Sequence, residues 1–324
     1  MKILYIVNIF ADETNPDKEP FVRAQIESIS SAGHEVDIFN INGELSKLNY
    51  LKALPRVIRI VKNKNYDMVH GHYVYSGWVA AFQRRYASVV SFMGSDLSGS
   101  FKKNGRISIQ GKMDIYLSKI LQLVVDGIIV KSLEMKDTLS EAQKQKAIVL
   151  PNGVDLDLFK DRSMKQARLT LNLDFKKKYV LFAGKYNIPQ KGFHIVEQAV
   201  RKLKIIDPRY ELLWVHRVPH SEVPLYMNAA NVLALPSIKE GSPNVIKEAL
   251  ACNLPLVATN VGDVKDLVNG VHGCRIAERT PEAFAAAIHE IVSQGEKSNG
   301  RKAVEHLSIE RVGQRLVTFY KQLI

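Results

Sequence analysis

Short apolar runs separated by longer amphipathic stretches constrain this chain most, because that alternation is the mark of parallel strands buried between helices. In the first half, runs at 2–8, 35–39, 67–70, 89–92, 127–130 and 147–150 read as strands, and segments at 21–31, 76–85, 112–125 and 132–142 as helices. A polar stretch, 161–178, interrupts the pattern. It then restarts with strands at 179–183, 211–215, 232–235, 256–258 and 273–276 and helices at 192–206, 221–228, 244–252 and 281–293. The expected fold is α/β, with two doubly wound Rossmann-like domains facing a cleft and ligands at the carboxyl ends of the strands. The expected domains are residues 1–155 and 156–308, followed by a C-terminal helix over 309–324.

The 324 residues and 46% hydrophobic content suit two ordinary globular domains. The first apolar run, Ile3 to Phe10, is broken by Asn8 and followed by a polar segment, so it reads as a buried strand and not as a signal peptide. Two cysteines, Cys252 and Cys274, are too few for a disulfide framework, and no Cys/His spacing suggests zinc. These features point to a cytoplasmic protein. The 45 basic and 33 acidic residues leave a net charge of +12, spread over both halves. Such an excess favours anionic ligands or an anionic membrane surface in general. It does not point to nucleic acid, because no aromatic-interleaved basic stripe accompanies it. A dinucleotide-dependent dehydrogenase is disfavoured too, since no Gly-x-Gly-x-x-Gly follows the first strand.

The densest chemistry lies in Glu240-Gly241-Ser242-Pro243-Asn244-Val245-Ile246-Lys247-Glu248. Ser242 suits an N-cap and Pro243 a first helical position. The N–H groups of Asn244 and Val245 would then point out of a helix end that carries partial positive charge, a ready seat for phosphate. A continuous helix would hold the two glutamates about 12 Å apart, so Glu240 must reach any shared site from the preceding loop. Glu248 leans back toward the helix start. That spacing fits two polar ends of one long ligand better than an acid–base dyad.

The stretch Pro236 to Asn244, continuing through Glu248-Ala249-Leu250-Ala251-Cys252 and Pro255-Leu256-Val257-Ala258-Thr259, resembles family 4 of the retaining glycosyltransferases. Their signature is a glutamate, seven residues, then a second glutamate. Further matches follow the family's order: Pro151-Asn152-Gly153-Val154-Asp155, Gly184-Lys185 with Lys191-Gly192, and Val261-Gly262-Asp263. The resemblance spans nearly the whole chain and is close to bacterial surface-polysaccharide members of the teichuronic-acid type. It implies the GT-B fold, a final helix crossing back to the first domain, and a nucleotide diphosphate sugar as donor. It also implies a saccharide or lipid-linked saccharide as acceptor, retention at the anomeric carbon, and no metal. On this reading Lys185 and Lys191 clamp the diphosphate, with Gly184, Asn152 and the helix start at Ser242–Val245 beside it. Glu248 accepts ribose hydroxyls and Glu240 partners the transferred sugar. Where the family usually has arginine the chain has Lys185, which keeps the charge but loses the bidentate fork. The acid-any-acid pair Asp155-Leu156-Asp157 matches metal-dependent transferases only superficially, for any short acidic pair does so.

The first domain departs from the family's pattern. No glycine-rich loop follows the first strand, so Arg23 becomes a candidate for acceptor contact. At Ser91-Phe92-Met93-Gly94-Ser95-Asp96 the usual histidine is Met93, whose thioether is no strong donor. Asp96 and Ser95 are the nearest polar replacements; His70 and His72, at the end of another strand, are others, unless they are simply hydrogen-bonded core histidines. Residues 51–64 place Leu51, Leu54, Ile58 and Val61 at helical spacing with Lys52, Arg56, Arg59 and Lys62 opposite. With the basic loop 101–106, this segment could rest peripherally on anionic lipid or simply cover the sheet. Two further readings share the fold: a nucleotide-sugar-binding subunit without catalysis, and a sugar-nucleotide epimerase, which would lack the two-glutamate signature.

Overall fold

The computed structural model describes residues 1–10, 19–43, 45–100 and 106–324. The chain divides into a unit of Met1–Gly153 with Ile309–Ile324 and a unit of Val154–Ser308.

In the first unit, β1 (Lys2–Val7), β2 (Glu35–Asn40), β3 (Met68–His72), β4 (Ala87–Ser91), β5 (Gly127–Val130) and β6 (Ala147–Val149) form a sheet in the order β2-β1-β3-β4-β5-β6. Every pairing is parallel. β1 is buried from Ile3 to Val7 without alternation, as expected of a parallel strand covered on both faces. Helices Pro20–Ser31 and Ile309–Lys321 pack together, the latter returning from the C-terminus. Gly313 lets them approach: a Cβ there would collide with Ser28 Oγ, whose hydroxyl donates to the Ile309 carbonyl at 3.1 Å. Helices Leu48–Asn63, Val74–Phe82 and Ile109–Val124 pack side by side.

Leu48–Asn63 buries Ala53, Val57 and Val61, and Leu51 is exposed, contrary to the expected stripe. Six steps of about 100° put Leu51 a third of a turn from Val57, outside the arc that faces the core. The single helix expected over 132–142 is two, Leu133–Asp137 and Glu141–Gln145, because the Thr138 hydroxyl takes the Met135 carbonyl and ends the first.

In the second unit, β7 (Lys178–Ala183), β8 (Tyr210–Val215), β9 (Val232–Leu235), β10 (Leu256–Ala258) and β11 (Cys274–Ile276) form a parallel sheet in the order β11-β10-β9-β7-β8. Helices Phe193–Ile206 and Pro281–Gln294 cover one core, packed on Val180, Phe182, Val232 and Val257. Local signals set the second helix: Thr280 Oγ1 accepts from Ala283 N, Pro281 opens it, and Gly295 (φ +71°) ends it. The polar stretch 161–178 is not a plain linker. It holds helix Met164–Thr170, capped by Ser163, whose buried Arg168 donates to the carbonyls of Ala229, Phe175 and Lys177 and to Asn231 Oδ1. Both cysteines are buried and unbridged. Strand order reverses between β1 and β3 and between β7 and β9, the positions where open α/β sheets bind ligands.

Candidate active site

Three strand-end loops of the second unit meet at one place, those following β7, β9 and β10. Lys191 Nζ donates to Glu240 Oε1 at 2.6 Å, and the Ser237 hydroxyl donates to the same oxygen at 2.7 Å. The backbone fastens the two loops together. Ile238 N donates to Gln190 O, and Gln190 Nε2 to Lys239 O, each at 2.9 Å. Thr259 Oγ1, at the end of β10, donates to Ser237 O at 2.6 Å. Two glycines make this closeness possible. A Cβ on Gly192 (φ +71°) would stand 2.5 Å from Pro236 O, and one on Gly262 (φ +57°) would collide with Gly241 O. An L side chain at either position meets both a left-handed backbone and a carbonyl.

Helix Asn244–Ala251 begins at the expected residue, but its cap is not the expected Ser242. Pro243, with ψ 118°, is the cap residue, and Ser242 makes no cap bond. The correction has a local cause: the ring-fixed φ of Pro243 (−70°) suits an extended cap as well as a first helical position, and with Pro243 extended Ser242 stands one residue too far out to cap. Ser242 instead lies beside Asp263, whose carboxyl burial raises above its ordinary range while the Ser242 hydroxyl and Lys247 pull it back. Lys247 is fully buried beneath the loop. Burial lowers its pKa to about 8, against the attraction of Asp263 and Glu248. Asn244 and Val245 occupy the first turn, so their amides face the Glu240 loop end of the dipole.

Glu248 Oε1 meets His220 Nε2 at 3.0 Å, and the His220 ring packs 5.2 Å from Phe159. Glu240 and Glu248 are both mostly buried, while their partners Lys191 and His220 are about twice as exposed (33% and 31%). Lys191 and the His220 ring therefore present themselves to solvent while the carboxylates stay behind them. Lys185 is exposed beside Gly184 (φ +150°), whose carbonyl accepts from Trp214 Nε1 at 2.8 Å. His216 stacks on Trp214, and its pKa is lowered by burial, then by Arg217 and Lys185. Lys185 thus belongs to a cationic edge at the ends of β7 and β8. Arg279 donates to Pro236 O at 2.9 Å and Pro189 O at 3.2 Å, bracing both loops. His220, Lys247, Arg217 and Arg279 were not legible as site residues. His220, Arg217 and Arg279 lie in no motif and reach the site by folding from distant segments, whereas Lys247 sits inside the Glu240–Glu248 stretch and only its burial distinguishes it.

The remaining candidates are in or near the first unit. Asn152 precedes Gly153, where a Cβ would stand 2.7 Å from Ile309 Cα. Asp155 Oδ1 accepts from Asp157 N and Leu158 N, so it shapes its own turn. Among the described residues no group of three or more His, Cys, Asp or Glu is arranged to hold a metal ion. Arg23 stacks over Phe10, 5.8 Å from the ring centre.

Asp96 is corrected: it does not face outward in place of histidine. It has no exposure, and its carboxylate accepts from Met93 N at 3.0 Å and Gly94 N at 2.9 Å, folding the loop back on itself. Burial raises its pKa to about 6 in spite of those N–H groups. His70 is a bonded core histidine, with Nδ1 at 2.5 Å from Tyr320 OH and Nε2 at 2.9 Å from Ser91 Oγ. Tyr320 OH also meets Tyr5 OH at 2.7 Å. His72 is equally buried, yet neither ring nitrogen has a hydrogen-bond partner among the described residues. Burial, then Lys131, lowers its pKa to about 3.

Residues 5–158 match the family model for Glycosyltransferase Family 4, and residues 177–294 that for Glycosyl transferases group 1. A Bacillus subtilis relative named for teichuronic acid biosynthesis, the glycosyltransferase TuaC, is 22% identical over 89% of this chain and 88% of its own. Sucrose-phosphate synthase from Thermosynechococcus elongatus superposes with a TM-score of 0.81 at 20% identity, covering 100% of this chain and 99% of that one. Anabaena HepE in complex with UDP superposes at 0.73 and 17% identity, covering 99% and 100%. These two likenesses carry the fold, which is GT-B. The chain belongs to the family 4 and group 1 glycosyltransferases.

Proposed function

We propose that the protein transfers a sugar, with retention, from a nucleotide diphosphate sugar to a saccharide or lipid-linked saccharide acceptor in cell-surface polysaccharide synthesis. The observation that carries the reading is the Lys191–Glu240 pair, held over the start of helix Asn244–Ala251 by three strand-end loops. Breaking a glycosidic bond to a diphosphate leaves charge on that diphosphate. Fixed cations and helix-end N–H groups stabilise it without reorganising. Lys191 and Lys185 supply the charge, so the leaving group is held without a metal. Once Lys191 turns to phosphate, Glu240 is released to accept from hydroxyls of the transferred sugar. Glu248, oriented by His220, accepts from the ribose. The acceptor hydroxyl attacks from the face the diphosphate leaves, and that diphosphate takes the proton.

HepE in complex with UDP supports a uridine nucleotide as the first donor to try. TuaC supports a polysaccharide product. The inner face of the cell membrane is the setting such an acceptor requires; no helix among the described residues is long and apolar enough to cross a membrane. Calorimetric titration of wild type and Glu248→Ala with UDP, GDP and their sugars tests the donor site. Binding of one or two of them, weakened in the variant, is expected. A folded wild type that binds none would overturn the reading. Met93 and the inward Asp96 favour one rival, a donor-binding subunit without turnover, which would bind a nucleotide sugar yet release none of its sugar to any lipid or saccharide acceptor.

A further inference from the structure

The helix Ile109–Val124 is built inside out. Its buried face holds Gly111, Asp114, Ser118, Leu121 and Gln122, mostly small or polar. The opposite face carries Ile109, Met113, Tyr116, Leu123 and Val124, with Ile109 78%, Leu123 66% and Tyr116 61% exposed. At about 100° per residue these side chains fall within one arc. The inward polar groups are satisfied: Asp114 accepts from Tyr75 OH and Gln110 Nε2, each at 2.6 Å, and Ser118 donates to Asp96 O at 2.8 Å. The outward apolar row is thus not a packing compromise, and an exposed apolar row of this length marks an interaction surface.

The surface continues on the neighbouring helices. Beyond Val124 lies a cavity of about 610 Å³, floored by Trp78, Ala81 and Phe82 and rimmed by Arg84 and Arg85. Trp78 Nε1 is buried there with no partner among the described residues. At the other end, Tyr75 joins Asp114 to Tyr50 and lies under Lys47, next to the exposed Leu48 and Leu51 of helix Leu48–Asn63. That helix turns Lys52, Arg56, Arg59 and Lys62 outward and has no acidic residue. Lys112 and Lys119 flank the inverted helix, and the single carboxylate of these three helices, Asp114, is buried.

We infer that this face of the first unit docks on an anionic phospholipid bilayer, with the row from Ile109 to Val124 in the acyl boundary. Tyr116 and Trp78 then lie at headgroup depth, and the lysines and arginines meet lipid phosphates. The charge selects this occupant. A second copy of the chain would set a cationic surface against itself, whereas an anionic membrane matches both the apolar row and a rim in which Arg84 and Arg85 outnumber the one exposed carboxylate of the cavity, Asp126. The loop 101–106, the other segment expected to touch lipid, lies outside the described residues except for Arg106. The inference needs the glycosyltransferase reading only for what waits at the surface, a lipid-linked acceptor.

Flotation of the full chain with phosphatidylcholine vesicles, with and without phosphatidylglycerol, tests it on wild type, Met113→Glu with Tyr116→Glu, and Lys52→Glu with Arg59→Glu. Wild type is expected to float only with anionic vesicles. The Met113/Tyr116 variant should lose partitioning about tenfold or more at any salt, and the Lys52/Arg59 variant mainly at low salt. Since all four side chains are exposed or partly so, thermal melts should be unchanged. Failure of wild type to float, or equal flotation of the Met113/Tyr116 variant, overturns the inference. So does a dimer by light scattering that this variant dissociates. Nucleotide binding measured on the same samples reports on the donor reading separately, because that site is in the other unit.

Discussion

The two sheets end differently, and the difference separates rigid support from exchangeable chemistry. At the strand ends of the first unit, His70, Tyr320, Tyr5 and Ser91 satisfy one another in a buried network that joins the first strand to the last helix. At the strand ends of the second unit, two mostly buried carboxylates face partly exposed hydrogen-bond partners, the ammonium of Lys191 and the imidazole of His220. A closed network fixes positions but can bind nothing without breaking. A carboxylate whose partner is partly exposed can trade that partner for a ligand at small cost, since contacts open to water contribute little. Chemistry should therefore fail when the second set is altered, and folding when the first is.

The largest expected effect is on turnover. Lys191→Ala removes a cation aimed at the leaving group, and kcat should fall about 10²–10³-fold, as for loss of one oriented oxyanion contact. Glu240→Gln should fall comparably, with donor binding weakened less than turnover. Lys191 is partly exposed, and glutamine keeps the shape of the mostly buried Glu240 and can still accept from Ser237, so Tm should stay near wild type. If either variant kept full activity, the assignment of chemistry to this pair would be wrong. Steady-state kinetics with the donor found by calorimetry measures it.

The second effect is acid sensitivity of the first unit. His72 has a folded pKa of about 3 against the ordinary 6.5, so below pH 6.5 the unfolded chain takes up the proton first. Its contribution is intact above pH 6.5 and is lost as pH falls from there toward 3. At pH 4 the loss approaches about 3 kcal/mol by linkage, an upper figure for a buried group. Asp96 acts the other way. Its raised pKa, about 6, favours the folded state as pH falls from 6 to 3.8. His72→Phe isolates the histidine, because the Asp96 and His70 contributions are common to both proteins. Denaturant melts at pH 7 and pH 4 should show wild type losing more than the variant; equal losses would mean that His72 finds a partner in solution.

How much of this was legible in the sequence follows from where the information lies. Parallel strands are continuous apolar runs, so the amino-acid pattern alone locates β1 to β11. The Glu240–Glu248 stretch was legible because one segment carries its capping residues, its loop and both carboxylates. The cap moved by one residue, from Ser242 to Pro243, because two adjacent residues both favour the start of a helix. Arg168 was hidden, since a polar stretch reads as a linker until its carbonyl partners are known. His220, Lys247 and Arg279 were hidden because each contact bridges 28 to 90 residues or depends on burial alone. The helix Ile109–Val124 shows a deeper limit: periodicity finds an apolar face but does not say which way it points.

The third effect sharpens the contrast from the rigid side. Tyr320→Phe removes the hydroxyl shared by Tyr5 and His70, leaving two buried polar groups short of a partner. The expected cost is about 1–3 kcal/mol of stability. Donor affinity should be unchanged, because the donor residues lie in the other unit. A loss of donor binding at full stability would contradict the division drawn here.

The smallest effect concerns Lys185, the exposed lysine after β7. A lysine is a point charge on a flexible stem, whereas arginine offers two parallel N–H groups to a phosphate. Lys185→Arg should therefore tighten nucleotide diphosphate binding by about twofold to fivefold, roughly half to one kcal/mol, without altering Tm. The gain is small because the site is open there, and because Arg217 already lies near His216 on the same edge. The comparison to make is between the diphosphate and the corresponding monophosphate. If Lys185 reaches the distal phosphate, only the diphosphate should gain. If both nucleotides gain equally, the side chain acts through the general field of that edge, and the clamp reduces to Lys191 and the helix start at Asn244.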